Sequence, residues 1–92
     1  MDDIAHALNG RPCLTIYILS NCEICRFAVE TAAEIRRAYP HVHVDVVDLA
    51  TTREPVPDVV FATPTYLLDG RVWSLGNPSS DQIRAAFAAA PA

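Results

Sequence analysis

Hydrophobic positions change their period along this chain, and each change marks an element. Residues 13–19, CLTIYIL, are nearly all apolar and rich in β-branched and aromatic side chains, the pattern of a strand buried on both faces. From Ile24 the spacing lengthens. Ile24, Phe27, Ala28, Thr31, Ala32, Ile35, Ala38 and Tyr39 follow one helix face, while Glu23, Arg26, Glu30, Glu34 and Arg37 fall on the other. Arg36 and Arg37 lie where the helix dipole is negative, and Pro40 ends the helix. Residues 42–49, VHVDVVDL, return to a period of two and read as a second strand. Strand, helix and strand in succession make a βαβ unit with parallel strands.

Pro55 and Pro57 exclude a long regular element between Thr51 and Phe61, leaving room for a single helical turn around Asp58 to Phe61. In residues 65–75, TYLLDGRVWSL, two apolar runs flank Asp69-Gly70, a strong signal for a tight antiparallel hairpin. Residues 77–82 then offer several N-caps ahead of Ile83, Ala86, Phe87 and Ala90, the apolar stripe of a closing helix. Upstream, Ile4 and Leu8 followed by Asn9-Gly10 predict a short helix or arm over residues 1–12, ahead of a core at 13–90. The order is β-α-β-loop-β-β-α. It implies an α/β fold with a mixed four-stranded sheet and helices on its faces.

Composition narrows the picture. A chain of 92 residues supports one core, so residues 1–92 form a single domain. With 51% hydrophobic and 20% charged residues it folds rather than staying disordered. A net charge of −4, with no basic cluster beyond Arg36-Arg37, argues against nucleic acid as a partner. The opening MDDIAHALNGRP lacks the basic region of a secretory signal, and CLTIYIL is too short to cross a bilayer. No membrane association and a cytoplasmic location are expected. Three cysteines are too few, and odd in number, for a secreted disulfide scaffold.

The chemistry concentrates at Cys22-Glu23-Ile24-Cys25, a CxxC opening the first long helix. Unpaired N–H groups and the positive dipole end stabilise a thiolate at Cys22. That contribution is roughly 0.3–2 kcal/mol, against a few tenths for an opposing exposed carboxylate such as Glu23, with Arg26 one turn along assisting. Cys25 is then placed to attack a mixed disulfide at Cys22. Two other readings stand beside this one. Cys22, Cys25, His41 and His43 supply four zinc-type ligands, but parallel pairing sets the two histidines near the start of the second strand, away from the cysteines. Two solvated histidines on an edge strand are the simpler account. Cys13 reads as a small core residue, Pro64 as a proline opening a strand, and Trp73 and Tyr66 as packing residues.

Taken together, SNCEIC at 20–25, ATPTYLLDG at 62–70 and the helix after GNPSS resemble the thioredoxin-like superfamily across nearly the whole chain from Cys13. The resemblance implies a thiol-disulfide oxidoreductase with Cys22 as nucleophile and Cys25 as resolving thiol. It also implies a cis Thr63-Pro64 bond packed beside the CxxC, which orients an incoming disulfide and keeps metal from the thiols. No metal or resident cofactor is implied; glutathione would enter only as a co-substrate. The partners would be a disulfide-containing protein or a low-molecular-weight thiol, and an electron donor that the sequence does not name. IYIL with Tyr17 ahead of Cys22 is similar to glutaredoxins. However, the intervening Glu23-Ile24 matches neither the Gly-Pro of thioredoxins nor the Pro-Tyr common in glutaredoxins. Ile16 stands where thioredoxins have a buried aspartate, Asn21 where they have tryptophan, and Leu19 where many glutaredoxins carry a glutathione-binding lysine. A redox-inert binding module on the same fold is the alternative.

Overall fold

The computed structural model describes residues 12–19 and 23–87. The elements run β1 (Cys13–Ile18), α1 (Glu23–Ala38), β2 (His43–Asp48), β3 (Thr65–Leu68), β4 (Arg71–Leu75) and α2 (Ser80–Phe87), in the expected order. The arm around Ile4 and Leu8, and Ala90 at the end of the closing stripe, lie outside the described residues.

β1 is near-uniformly apolar because it is interior to the sheet, whose order is β2-β1-β3-β4. It pairs in parallel with β2, from Cys13 opposite His43 to Ile18 opposite Asp48. On its other side it pairs antiparallel with β3, from Leu14 opposite Leu68 to Tyr17 opposite Thr65. The hairpin turns at Asp69 and Gly70, both at positive φ (52° and 86°), the mirror-image turn that Asp-Gly favours. Asp69 also clasps the start of β1: its carboxylate accepts from the Cys13 amide at 2.9 Å and its own amide donates to the Cys13 carbonyl at 2.8 Å.

Both helices pack on the same face of the sheet, where Leu14, Ile16, Ile18 and Tyr66 meet Cys25, Ala28, Ala32, Ile35 and Phe87. The buried stripe of α1 is therefore Cys25, Ala28, Ala32 and Ile35. Ile24 and Phe27, assigned to the apolar face by spacing, are 56% and 59% exposed. Cys25 occupies the core position instead, and one residue of offset rotates a helix face by about 100°. Alanines in the stripe let the helix lie close to the strands.

A chain of ring contacts closes this core, from Tyr39 to Phe87 (5.9 Å between centroids), Phe87 to Trp73 (5.5 Å) and Trp73 to Tyr66 (6.0 Å). Trp73 reaches it through a bulge. Tyr66 pairs with Ser74 and Leu67 with Val72, so β4 carries one extra residue, and that residue is Trp73. Trp73 and Tyr66 are thus packing residues, as read from the sequence.

The opposite face buries Tyr17, Thr65 and Leu67. The loop after β2 comes close here, near enough for the Glu54 carboxylate to raise the Tyr17 pKa, behind the larger effect of burial. In this loop residues 58–59 make a turn, with Val60 N–H donating to the Pro57 carbonyl at 3.0 Å, in place of a helical turn. Before α2, Ser79 and Gln82 exchange side-chain and backbone hydrogen bonds at 3.1 Å each, a reciprocal capping box that selects Ser79 among the candidate caps. On the edge strand β2, the Val44 carbonyl accepts from the Arg36 guanidinium of α1 at 2.9 Å.

Candidate functional site

The site forms where β1 ends and α1 begins. Cys25, in the opening turn of α1, is only 2% exposed, and the backbone amide of Leu19 donates to its sulfur at 3.4 Å. The thiol is thereby held at the carboxyl end of β1. Cys22 immediately precedes α1 in sequence and lies outside the described residues. Glu23 opens the first turn of α1 and Arg26 follows one position after Cys25, both exposed.

A second segment comes to the same end of the sheet. Tyr17 pairs with Thr65, so Pro64 lies level with Ile18, one residue before Leu19. The Thr63-Pro64 bond is cis, as the resemblance implied, with Pro64 buried and Thr63 half-buried. Thr65, fully buried, satisfies its hydroxyl by donating to the Ala62 carbonyl at 2.5 Å. The Pro64 carbonyl accepts from the Gly76 amide at 2.8 Å, where Gly76 takes a positive φ of 87°.

The adjacent Asn77 joins this segment to the helix. Its side-chain amide donates to the Ile24 carbonyl at 3.3 Å, and its oxygen accepts from the Tyr66 hydroxyl at 2.7 Å. Burial pushes the Tyr66 pKa up to about 12; a hydrogen bond with Thr31 opposes this, and the charge of a Cys25 thiolate adds to it. The phenol is therefore neutral across ordinary pH and acts as a donor. Sequence reasoning did not identify Asn77 or the hydroxyl role of Tyr66. The available signal was general: a tyrosine buried in a core needs a partner for its O–H.

The remaining candidates lie elsewhere. His43, exposed, is opposite Cys13 at the far end of β1 and pairs with Asp45 at 3.2 Å. His41 is half-buried before β2, edge-on to Tyr39 at 6.3 Å between centroids, and so is not the solvated edge residue expected. The register thus separates both histidines from Cys25. Among the described residues no group of three or more His, Cys, Asp or Glu side chains could hold a metal ion. Cys13 is half-buried and absent from the main core cluster, which corrects its reading as a core residue: it begins the strand on the side opposite Leu14.

A central parallel βαβ pair, an antiparallel hairpin, two helices on one face and a cis-proline loop beside the first helix define a thioredoxin-like fold. Among solved structures the chain is similar to the thioredoxin of Fasciola hepatica, with a TM-score of 0.70 and 20% identity over 95% of this chain and 88% of that one. At this identity the likeness is one of fold. No protein-family profile and no curated protein sequence matches the chain. Among the described residues no helix is long and apolar enough to cross a membrane.

Proposed function

We propose that this protein is a thiol-disulfide oxidoreductase that exchanges two electrons through Cys22 and Cys25. The observation that carries the reading is the placement of Cys25: a buried thiol in the opening turn of α1, its sulfur at the end of β1, with the Pro64 segment tied to that turn through Gly76 and Asn77. Cys22 is one residue before the helix, where the positive dipole end favours a thiolate. Its sulfur attacks a substrate disulfide; one S–S bond breaks, a mixed disulfide forms, and the first substrate thiolate leaves and takes a proton. Cys25, having lost its proton, attacks Cys22 Sγ, which forms the Cys22–Cys25 disulfide and releases the second substrate thiol. The substrate is reduced by two electrons and the pair oxidised by two. A low-molecular-weight thiol such as glutathione, or a dithiol protein, returns them.

In this reading Thr63 and Pro64 orient the incoming disulfide, while Glu23 and Arg26 set the thiolate fraction of Cys22 in opposite directions. The substrate is a protein disulfide or a small disulfide, the reaction needs no resident cofactor or metal, and the compartment is the reducing cytoplasm. Thiol titration of Cys22 tests the proposal, with an expected pKa below the free-thiol value of about 8.5. Cys22→Ser should abolish disulfide reduction, and Cys25→Ser should accumulate mixed disulfides with substrates. A Cys22 pKa at or above the free-thiol value, with no turnover, would remove the redox role. That outcome would leave a redox-inert binding module, the reading favoured by exposed Ile24, Phe27 and Phe61, the last 76% exposed.

A further inference from the structure

We infer that Tyr66 and Asn77 are positioning residues that aim the Cys25 thiol, acting through the peptide that carries it. The inference rests on the redox reading above. The Ile24 carbonyl belongs to the Ile24–Cys25 peptide unit, and Asn77 Nδ2 donates to it at 3.3 Å. Fixing that peptide plane fixes the direction in which the Cys25 side chain leaves the helix. From the other side, the Leu19 amide reaches the Cys25 sulfur at 3.4 Å. The thiol is thus gripped at its backbone and at its sulfur by two different segments.

Asn77 is exposed, and its side chain would be loose without an anchor. Tyr66 supplies the anchor: it is 0% exposed, and its hydroxyl donates to Asn77 Oδ1 at 2.7 Å. One asparagine therefore uses its acceptor on β3 and its donor on α1, a bridge that requires both ends of an amide. The Tyr66 ring is itself fixed against Trp73 in the aromatic chain. The thiol lies near this bridge, since charge on Cys25 is felt at the phenol. Around it the core is formed by Ile16, Ile18, Ala28 and other apolar side chains. Directional control of the thiol comes from the bridge and the Leu19 amide, because dispersion contacts have little directionality.

The consequence falls on one half-reaction. Attack by Cys22 on a small disulfide does not depend on where Cys25 Sγ points, and the Pro64 carbonyl stays held by the Gly76 amide when the bridge is cut; attack by Cys25 on Cys22 Sγ does depend on it. A chromogenic aryl disulfide, reacted in single turnover with the full-length protein, separates the two steps. The first aryl thiolate leaves when Cys22 forms the mixed disulfide, and the second when Cys25 displaces it, its proton passing to solvent. Tyr66→Phe and Asn77→Ala should each slow the second release about three- to ten-fold, the range set by one net hydrogen bond, with the first release unchanged. The double variant should be no slower than Asn77→Ala alone, because both changes break one bridge. Asn77→Ala, at an exposed position, retains the test if Tyr66→Phe folds poorly. An unchanged second release in Asn77→Ala, equal slowing of both releases, or additive losses in the double variant would overturn the inference. A wild-type protein that releases no aryl thiolate at all would instead overturn the redox reading, and the inference with it.

Discussion

The Leu19 amide and the Cys25 sulfur are joined at 3.4 Å, so the residue just past β1 holds the thiol in the opening turn of α1. This contact gives Cys25 a structural role separate from any chemistry. Cys25→Ala removes the acceptor and empties a core position that is 2% exposed. The variant should lose about 1–2 kcal/mol, from the small cavity and the unpartnered amide together. Urea denaturation should show a lower midpoint with an unchanged slope. A wild-type midpoint in Cys25→Ala would mean that the contact contributes nothing to stability.

The same register determines which cysteines can bridge. Cys13 begins β1 and Leu19 follows its last residue, so the Cys13 backbone is roughly 20 Å from the amide that holds Cys25. A disulfide requires Cα atoms within about 7 Å. Cys22→Ser treated with diamide should therefore form no intramolecular disulfide, whereas the wild-type protein forms one between Cys22 and Cys25. Peptide mapping by mass spectrometry distinguishes the two. A Cys13–Cys25 link under native conditions would contradict the register of β1 itself.

The fold was legible because the apolar period changes sharply at its boundaries. CLTIYIL gives way to helical spacing just past the CxxC, and Asp69-Gly70 divides TYLL from RVWSL at the observed turn. The candidate site was only partly legible. Sequence order put Cys25 in the first helical turn and Pro64 before the hairpin, and both are found there. Asn77 could not be read in the same way. It precedes a proline and a run of cap residues, so locally it is one more cap candidate, while its partners are 11 and 53 residues away. Ile24 and Phe27 were misplaced for a related reason. Periodicity assigns a face from apolarity, so it included Ile24 and Phe27 and left out Cys25, while Ala28, Ala32 and Ile35 are buried as read.

Ser79 controls how firmly α2 closes the core. Its hydroxyl accepts from the Gln82 amide and its own amide donates to the Gln82 side chain, each at 3.1 Å. At the other end of the same helix Phe87 is 1% exposed and packs on Trp73. Ser79→Ala should lower stability by about 1 kcal/mol, which for a domain of this size is roughly 4–8 °C in Tm. Ser79→Asp, which retains the acceptor and suits the dipole, should restore most of it. Thermal melts followed by Trp73 fluorescence provide the measurement, and equal Tm values for wild type and Ser79→Ala would show that the cap is dispensable.

Tyr66 makes stability sensitive to alkaline pH in a direction that can be worked out. Burial pushes its pKa from 10.0 up to about 12 in the folded protein, with a hydrogen bond to Thr31 opposing and charge on Cys25 adding. Below the unfolded value the phenol is protonated in both states, and its contribution is fully present. As pH rises past 10.0 the unfolded chain ionises first and binds fewer protons, so stability falls until the folded phenol also ionises near 12. The loss across that window is on the order of 1 kcal/mol and at most about 3 kcal/mol. Tyr17, also raised by burial, then by Glu54 and Cys13, contributes with the same sign. The informative quantity is therefore the difference between proteins. Tyr66→Phe should be less stable than wild type at about pH 9, where the bond to Asn77 is lost. It should also decline less steeply between about pH 10 and about pH 12, since the Tyr66 contribution is removed while that of Tyr17 stays. Urea midpoints collected across that range measure both effects. Parallel declines in the two proteins would show that the buried phenol ionises as readily in the fold as in the unfolded chain.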